Sequence, residues 1–398
     1  MDIRPIIKGV IAKNCNPEGC RESVQSQIHQ LQQLPAISTG PKKVLVIGAS
    51  SGLGLATRIS LAFGGRADTI GISYERPPSG EKSGTAGWFN NLAFTEAAEK
   101  EGLIAKNFVG DAYSEPMQQQ VVDYIRSEFG GSIDCIVYSL AAGVRPRPDG
   151  SGFWKSSLKP VGEPFAGNII NIEKDQMQSV SMPPASPEEV QETVKVMGGE
   201  NWEEWIRCLD SNNLLARGVK TIAFSYIGSD VTYPIYFGGT MGQAKLHLHD
   251  TSDRLNKFLS KHQGEAHIGV STALVSKASV FIPGFSCYMM ALSKVLKQKG
   301  EHETCVAHMH RMMKDFLFNP EGVKTDENRL IRADDRELNP EVQAEIFRLI
   351  DKVTAENFRS DQYADYSGFI EEFMGLSGFT AKDRVFPETI ASQEPALK

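Results

Sequence analysis

The sequence predicts an α/β fold, a doubly wound parallel sheet carrying an N-terminal extension, a long hairpin-containing insertion and extra C-terminal helices. Three observations predict it. Short β-rich runs alternate with helical stretches from residue 42 to about 274, the pattern of strands joined by crossover helices. The first run passes through a glycine-rich turn directly into a helix. Three regions break the rhythm, residues 1–40, 143–200 and 284–375, and mark the additions to the core.

The elements follow in order. KKVLVIG (42–48) is a buried strand, after which Leu55, Ala56, Ile59 and Phe63 recur at helical spacing. DTIGISYE (68–75) and AKNFVGD (105–111) are the next strands, and residues 114–129 form a helix. IDCIVYSLA (133–141), VKTIAFSYIG (219–228) and AHIGVSTALV (266–275) complete six strands. Residues 143–200 are rich in Gly, Pro and Ser, which predicts hairpins and a helix near 188–197. Residues 284–375 read as mostly helical, and the tail 379–398 as lacking fixed structure. The chain is expected to be one elaborated domain, with its core over about 42–300 and a helical extension over about 300–375.

The 398 residues carry 42 basic and 49 acidic side chains, a formal charge of −7. A nucleic-acid protein would need a basic face, so that class is disfavoured. An anionic ligand is not, because backbone N–H groups can bind a phosphate. Apolar runs stay far below the roughly 18 residues that span a bilayer. The N-terminal stretch MDIRPIIKGVIAKNCNPEGC lacks a long apolar core, and a cytoplasmic location is expected. The six cysteines form no CxxC pair and read as reduced, packed thiols.

The first strand ends in Gly48-Ala49-Ser50-Ser51-Gly52-Leu53-Gly54. A glycine-rich strand-to-helix turn lets the backbone approach a pyrophosphate at a helix N-terminus. Such a site wants a carboxylate at the end of the next strand, and Glu75 stands there, 21 residues beyond Gly54. It would accept from the ribose hydroxyls and repel a 2′-phosphate, favouring NADH, although the adjacent Arg76 could serve a 2′-phosphate. Asp111, after the third strand, could accept from an adenine amino group. Ser139-Leu140, after the fourth, would line the cofactor with main chain. The same residues also fit G-x-S-x-G, so an α/β-hydrolase using Ser50 with His262 or His267 stays open.

Hydride transfer to a carbonyl or conjugated carbonyl builds charge on oxygen, which calls for a phenol and a nearby cation. None of the ten tyrosines has Lys four residues on. Tyr236–Lys245 and Tyr288–Lys297 are each nine apart. Tyr236 lies just beyond the fifth strand and is expected to open the helix running through Lys245. Tyr288, in the apolar stretch 287–296, reads as a core tyrosine. Tyr226, ending its strand, is the better candidate for a second phenol, ahead of Tyr233. His247-x-His249 and His308-x-His310 do not share a helix face and read as surface or packing residues. Trp88, Trp154, Trp202 and Trp205 read as packing. Residues 326–337 have the length of a calcium loop, but Leu330 and Ile331 occupy a ligand and the glycine position. The charge run 329–337 is therefore expected to be a solvated loop.

Beyond these sites, Gly84-Thr85-Ala86-Gly87-Trp88, Gly110-Asp111-Ala112, Val137-Tyr138-Ser139-Leu140-Ala141, Lys159-Pro160, Val194-Lys195-Val196-Met197-Gly198-Gly199, Ser225-Tyr226-Ile227-Gly228 and Thr232-Tyr233-Pro234-Ile235-Tyr236 occur in order. Together with the glycine turn they resemble the FabV-type enoyl-ACP reductases and trans-2-enoyl-CoA reductases, which are short-chain dehydrogenase-like. The resemblance spans Pro5 to about Gly378. It implies NADH-dependent reduction of the 2,3 double bond of trans-2-enoyl thioesters, carried on coenzyme A or acyl carrier protein, in fatty acid synthesis. It implies that Tyr236 is the proton donor, that Lys245 is its cofactor-binding partner and that Tyr226 contacts substrate. The dinucleotide would be bound by Gly48, Ala49, Ser50, Ser51, Gly52, Leu53, Tyr74, Glu75, Asp111, Ala112, Ser139, Leu140, Leu274, Val275 and Ser276. No metal is implied, and a monomer is. Leu53, Ser276 and Asn16 depart from the family's usual aromatic, Thr and His. In this reading the Lys245 charge is expected to depress the Tyr236 pKa. An apolar acyl tunnel is expected between residues 281–296 and the insertion. The alternatives are a carbonyl reductase of the same fold and a non-catalytic dinucleotide sensor.

Overall fold

The computed structural model describes residues 3–80 and 82–384. Its core is a parallel sheet of β1 (Lys43–Ile47), β2 (Asp68–Ser73), β3 (Ala105–Val109), β4 (Ile133–Tyr138), β7 (Leu215–Ser225), β8 (Glu265–Val270) and β9 (Leu330–Arg332). An antiparallel hairpin of β5 (Phe165–Asn171) and β6 (Gln176–Met182) stands apart from it. The sheet order is β9-β8-β7-β4-β1-β2-β3, with every neighbouring pair parallel. This is the expected doubly wound fold. Chain order reverses between β1 and β4, and ligands of such sheets bind at that reversal, outside the carboxyl ends of the strands.

The helices cover both faces. On one face α1 (Pro17–Gln32), α2 (Gly52–Ile59), α3 (Ala86–Lys100) and α9 (Cys305–Arg311) bury Val24, Ala56, Phe94 and Met309 with the β1 residues Val44 and Val46. On the other, α4 (Glu115–Ser127), α6 (Glu200–Ser211) and α7 (Thr240–Leu259) bury Val121, Trp205 and Leu255 against Leu45, Ile70 and Ile136. The strand side chains alternate between these two clusters, as the pleat requires. Trp202 and Trp205 are fully buried, so the packing reading of both holds. Asn16 caps α1, its side-chain oxygen accepting from the Glu18 and Gly19 N–H groups. A short polar side chain suits that position.

The insertion contains a short hairpin pairing Val144–Pro146 with Phe153–Lys155, then β5–β6, then α5 (Pro187–Met197). A third cluster joins it to α8 (Phe285–Lys299) and α11 (Tyr366–Gly375) through Ile170, Tyr236, Phe285, Phe369 and Phe373. On the outer side of α8, Val295 and Leu296 pack on Val342 and Ile346 of α10 (Pro340–Ile350).

Two expectations are corrected. Residues 329–337 are not a solvated loop, because Leu330–Arg332 forms the edge strand β9 paired to Ile268–Val270. Its charges are largely matched locally: Arg332 pairs with Asp334 and Asp326, and Arg329 with Asp253. Order continues into the expected disordered tail, where Phe379 is buried and Arg384 donates to the Tyr366 hydroxyl. Residues 385–398 lie outside the described residues. Of the two readings of His308 and His310, packing is the one seen: both are buried. Among the described residues no helix is long and apolar enough to cross a membrane.

Candidate active site

The turn after β1 is tight for a steric reason. Gly48 (φ 90°) and Gly52 (φ 54°) occupy the left-handed region that glycine alone adopts freely. A Cβ at Gly54 would overlap the Gly48 carbonyl oxygen, and one at Gly48 would overlap the Ser139 carbonyl. Ser139 in turn donates its N–H to the Ile47 carbonyl at 2.8 Å. The glycine turn and Ser139-Leu140 therefore meet at the chain reversal, leaving bare backbone at the N-terminus of α2. That is a cradle for a pyrophosphate.

The other cofactor candidates converge on this turn. Ser50 donates its hydroxyl to Glu75 Oε1 at 2.5 Å, and Asn90 Nδ2 holds the Ser50 carbonyl at 2.9 Å. The Glu75 carboxylate lies so close to Gly87, in the first turn of α3, that a Cβ there would overlap it. A helix N-terminus stabilises such a charge. Tyr74 beside it is exposed. Asp111 Oδ1 accepts the Tyr113 N–H at 2.9 Å, and the Ala112 carbonyl accepts Trp205 Nε1 at 3.0 Å, which fixes that loop. Across the crevice, Ser276 Cβ would touch a Cβ at Gly52, at 3.7 Å. Ser279 pins this loop, donating to the Leu274 carbonyl at 2.6 Å and accepting from the Ser276 N–H at 2.9 Å. Val275 is half-buried against the third cluster, and Leu53 packs on the first.

The catalytic candidates lie beyond the end of β7. Tyr236 does not open α7 as expected. It stands in the preceding turn, because Gly238 and Gly239 delay the helix to Thr240. Its carbonyl accepts from the Gly239 and Gly242 N–H groups at 3.0 and 2.9 Å, joining the turn to the helix. Lys245, in the second turn of α7, is half-buried and donates from Nζ to the Phe224 carbonyl at 2.9 Å. The rings of Tyr236, Tyr226 and Phe285 form one stack. Tyr226 meets Tyr236 edge-on at 4.9 Å and 87°, and Phe285 lies 5.8 Å from Tyr236.

The hydroxyls of this group differ. Tyr226 donates to Glu337 Oε1 at 2.7 Å, as does Tyr288 at 2.8 Å. Among the described residues, no protein atom accepts from the Tyr236 hydroxyl. Tyr288 is the core tyrosine expected, and Lys297 pairs with Asp365. Glu337 is the residue that sequence reasoning missed. It is fully buried and also accepts from Thr272 Oγ1 and the Ala273 N–H, at 2.7 and 2.6 Å. Burial pushes its carboxyl above the usual range against the pull of these donors.

The expected lowering of the Tyr236 pKa is also corrected. Burial pushes the phenol up, and Lys245 contributes no opposing pull, since its ammonium is turned to the Phe224 carbonyl. Tyr236 is therefore a protonated donor throughout the neutral range. Burial lowers Lys245 to about 8. Its charge is present below that pH and is lost above it. In the free enzyme, kcat/KM is thus expected to fall as pH rises through about 8. A pH profile flat to well above that value would contradict this role.

A cavity of about 270 Å³ lies between the insertion and the segment leading into α8, lined by Ile170, Val180 and Met182 of the insertion and by Val280, Ile282 and Ser286. The hydrolase arrangement is not assembled. Ser50 is bound to Glu75, while His262 pairs with Asp210 and His267 with Glu265.

Comparison with known proteins shows the family. Residues 82–318 match the family model described as "Trans-2-enoyl-CoA reductase catalytic region", and residues 2–80 its NAD(P)H binding domain. The chain belongs to the trans-2-enoyl-CoA reductase family. An enoyl-[acyl-carrier-protein] reductase [NADH] of Photobacterium profundum is 52% identical over 381 residues, 95% of each chain. A trans-2-enoyl-CoA reductase [NADH] of Clostridium beijerinckii is 46% identical, covering 94% of this chain and 93% of its own. The crystal structure of a trans-2-enoyl-CoA reductase from Clostridium acetobutulicum in complex with NADH superposes with a TM-score of 0.92 at 41% identity, covering 99% of this chain and 100% of that one.

Residues 325–383 match a third family model, described as an enoyl reductase FAD binding domain. The residues present do not fit a flavin. The apolar faces of α10 and α11 are filled by packing on α8. Gly378 (φ 74°), at the end of the segment, is closed against the Asn16 carbonyl and Cys20.

Proposed function

We propose that the protein reduces the 2,3 double bond of trans-2-enoyl thioesters with NADH, with Tyr236 as the donor to the thioester oxygen and Lys245 as the cofactor-holding cation. The observation that carries this reading is the division of labour among the hydroxyls. Tyr226 and Tyr288 are both committed to Glu337, whereas Tyr236 is unclaimed among the described residues and faces the apolar stack.

Bound NADH supplies a hydride to the substrate β-carbon. The displaced electron pair would settle on the thioester oxygen as an enolate, and when that pair returns to the α-carbon it takes up a proton drawn ultimately from solvent, which completes the saturated thioester. Tyr236 donates its hydrogen bond there, and the bond strengthens as charge develops, so it lowers the barrier more than it stabilises the ground state. Lys245, on the rigid α7, holds the ribose side of the dinucleotide. The low-dielectric wall of Tyr226 and Phe285 excludes water and strengthens both interactions. Tyr226 contacts substrate through its ring, not its hydroxyl. The cavity between the insertion and α8 takes the acyl chain, an apolar partner for an apolar lining. The enoyl group reaches this site on the pantetheine arm of coenzyme A or acyl carrier protein. The enzyme is a cytoplasmic monomer of fatty acid synthesis; the six free cysteines fit a reducing compartment.

Glu75 selects NADH. A 2′-phosphate would meet a carboxylate already fixed by Ser50. Glu75→Ser is expected to shift the NADPH-to-NADH ratio of kcat/KM at least about 10-fold toward NADPH, the value of one removed charge repulsion. An unchanged ratio would remove Glu75 from selection.

The experiment that tests the reading is product analysis after incubation with crotonyl-CoA and NADH. Butyryl-CoA is expected. Free crotonate and coenzyme A would support Ser50 hydrolysis instead. A reduced carbonyl would support the carbonyl reductase, and cofactor binding with no product the sensor.

A further inference from the structure

Segment 325–383 offers no flavin site, yet its Glu337 is hydrogen-bonded directly to a tyrosine of the reductase centre. Glu337 follows the edge strand β9 and lies fully buried. Burying a carboxylate is unfavourable unless its lone pairs are satisfied. Here four donors satisfy them, and they come from three separate parts of the chain. Oε1 accepts from Tyr226, at the end of β7, and from Tyr288 on α8. Oε2 accepts from Thr272 Oγ1 and the Ala273 N–H, in the loop after β8. Gln343 of α10 closes the arrangement, donating to the Glu337 carbonyl at 2.6 Å and the Tyr288 hydroxyl at 3.0 Å.

Each oxygen serves a different half of the site. The Oε1 side fixes Tyr226, whose ring stands edge-on against Tyr236. The Oε2 side fixes the start of the loop that continues through Leu274 and Ser276 to face the glycine turn at Gly52. A neutral amide replaces this only in part: with its single acceptor oxygen on the Thr272 and Ala273 side, its NH2 faces the Tyr226 and Tyr288 hydroxyls and turns them from donors into acceptors.

We propose that Glu337 is a positioning residue of the reductase, its single carboxylate setting the substrate-side tyrosines and the dinucleotide-side loop 272–276 in register. Hydride transfer needs both partners in near-attack geometry, so slack between the two halves is expressed in turnover.

The test rests on the reductase reading, and parent turnover of crotonyl-CoA is therefore established first, so that the two can fail separately. Glu337→Gln is then assayed well below its own unfolding midpoint. Its kcat is expected to fall at least about 10-fold and its NADH KM to rise, as misplacement of a reacting group predicts. Tyr226→Phe, which removes one bond and keeps the ring, should lower mainly kcat. The double variant should lose no more than the worse single, because both act through one contact. A kcat for Glu337→Gln within about twofold of parent, or losses that multiply in the double variant, overturns the proposal. If Glu337→Gln does not fold, Tyr226→Phe and Thr272→Val carry the test. Thr272→Val should raise mainly the NADH KM, and parent-like constants in both variants overturn the proposal.

Discussion

Tyr236→Phe is expected to lower kcat by about 10²–10³-fold with NADH affinity unchanged, the usual loss when one donor to a developing oxyanion is removed. The substitution is clean. The Phe ring keeps the edge contact with Tyr226 and the stack on Phe285, and no hydrogen bond within the described protein is broken. The phenol's raised pKa means that a donor is lost, not a phenolate. Initial rates with crotonyl-CoA give kcat, and quenching titrations give the NADH dissociation constant. Turnover near the parent value would remove Tyr236 from the chemistry. Weakened NADH binding at equal loss of kcat would recast it as a cofactor residue.

Lys245→Met is expected to cost about 10²-fold in kcat/KM and to raise the NADH KM, as loss of a charged hydrogen-bond donor at a desolvated site predicts. Methionine fills the volume of the lysine stem, so α7 keeps its packing. Lys245→Arg is not expected to restore the parent, since a planar fork cannot replace a compact ammonium seated on the Phe224 carbonyl. The alkaline fall of the parent profile near pH 8 should also disappear in Lys245→Met. A parent-like NADH KM in this variant would contradict the role.

Much of this site was legible because its chemistry sits at strand ends. The Gly48–Gly54 turn, Glu75 and Ser139-Leu140 each follow an apolar run buried inside the sheet, whereas Asp111 follows the partly exposed edge strand β3. Their convergence follows from the sheet order. Tyr236–Lys245 was legible as a spacing, but its local structure was not. The pair reads as one helix until Gly238 and Gly239 are seen to hold the chain back to Thr240.

What escaped was the C-terminal contribution. β9 has three residues, and its apolar pair Leu330-Ile331 is surrounded by charge. A charge run usually means solvent. Here Arg332 is shared between Asp334 and Asp326 and offsets part of their charge, and Asp334 is only 1% exposed. Two adjacent apolar residues inside that run were the one available signal. Glu337 carried none, since its four donors lie 49 to 111 residues away in sequence. A buried acid is visible only once its partners are in place.

The reductase activity is tested by NADH absorbance in the presence of crotonyl-CoA, with NADPH run in parallel. Absorbance is expected to fall only when the enoyl thioester is present, and faster with NADH than with NADPH. No loss with crotonyl-CoA, and none with longer enoyl thioesters, would contradict the reductase reading and leave a dinucleotide-binding fold without this chemistry.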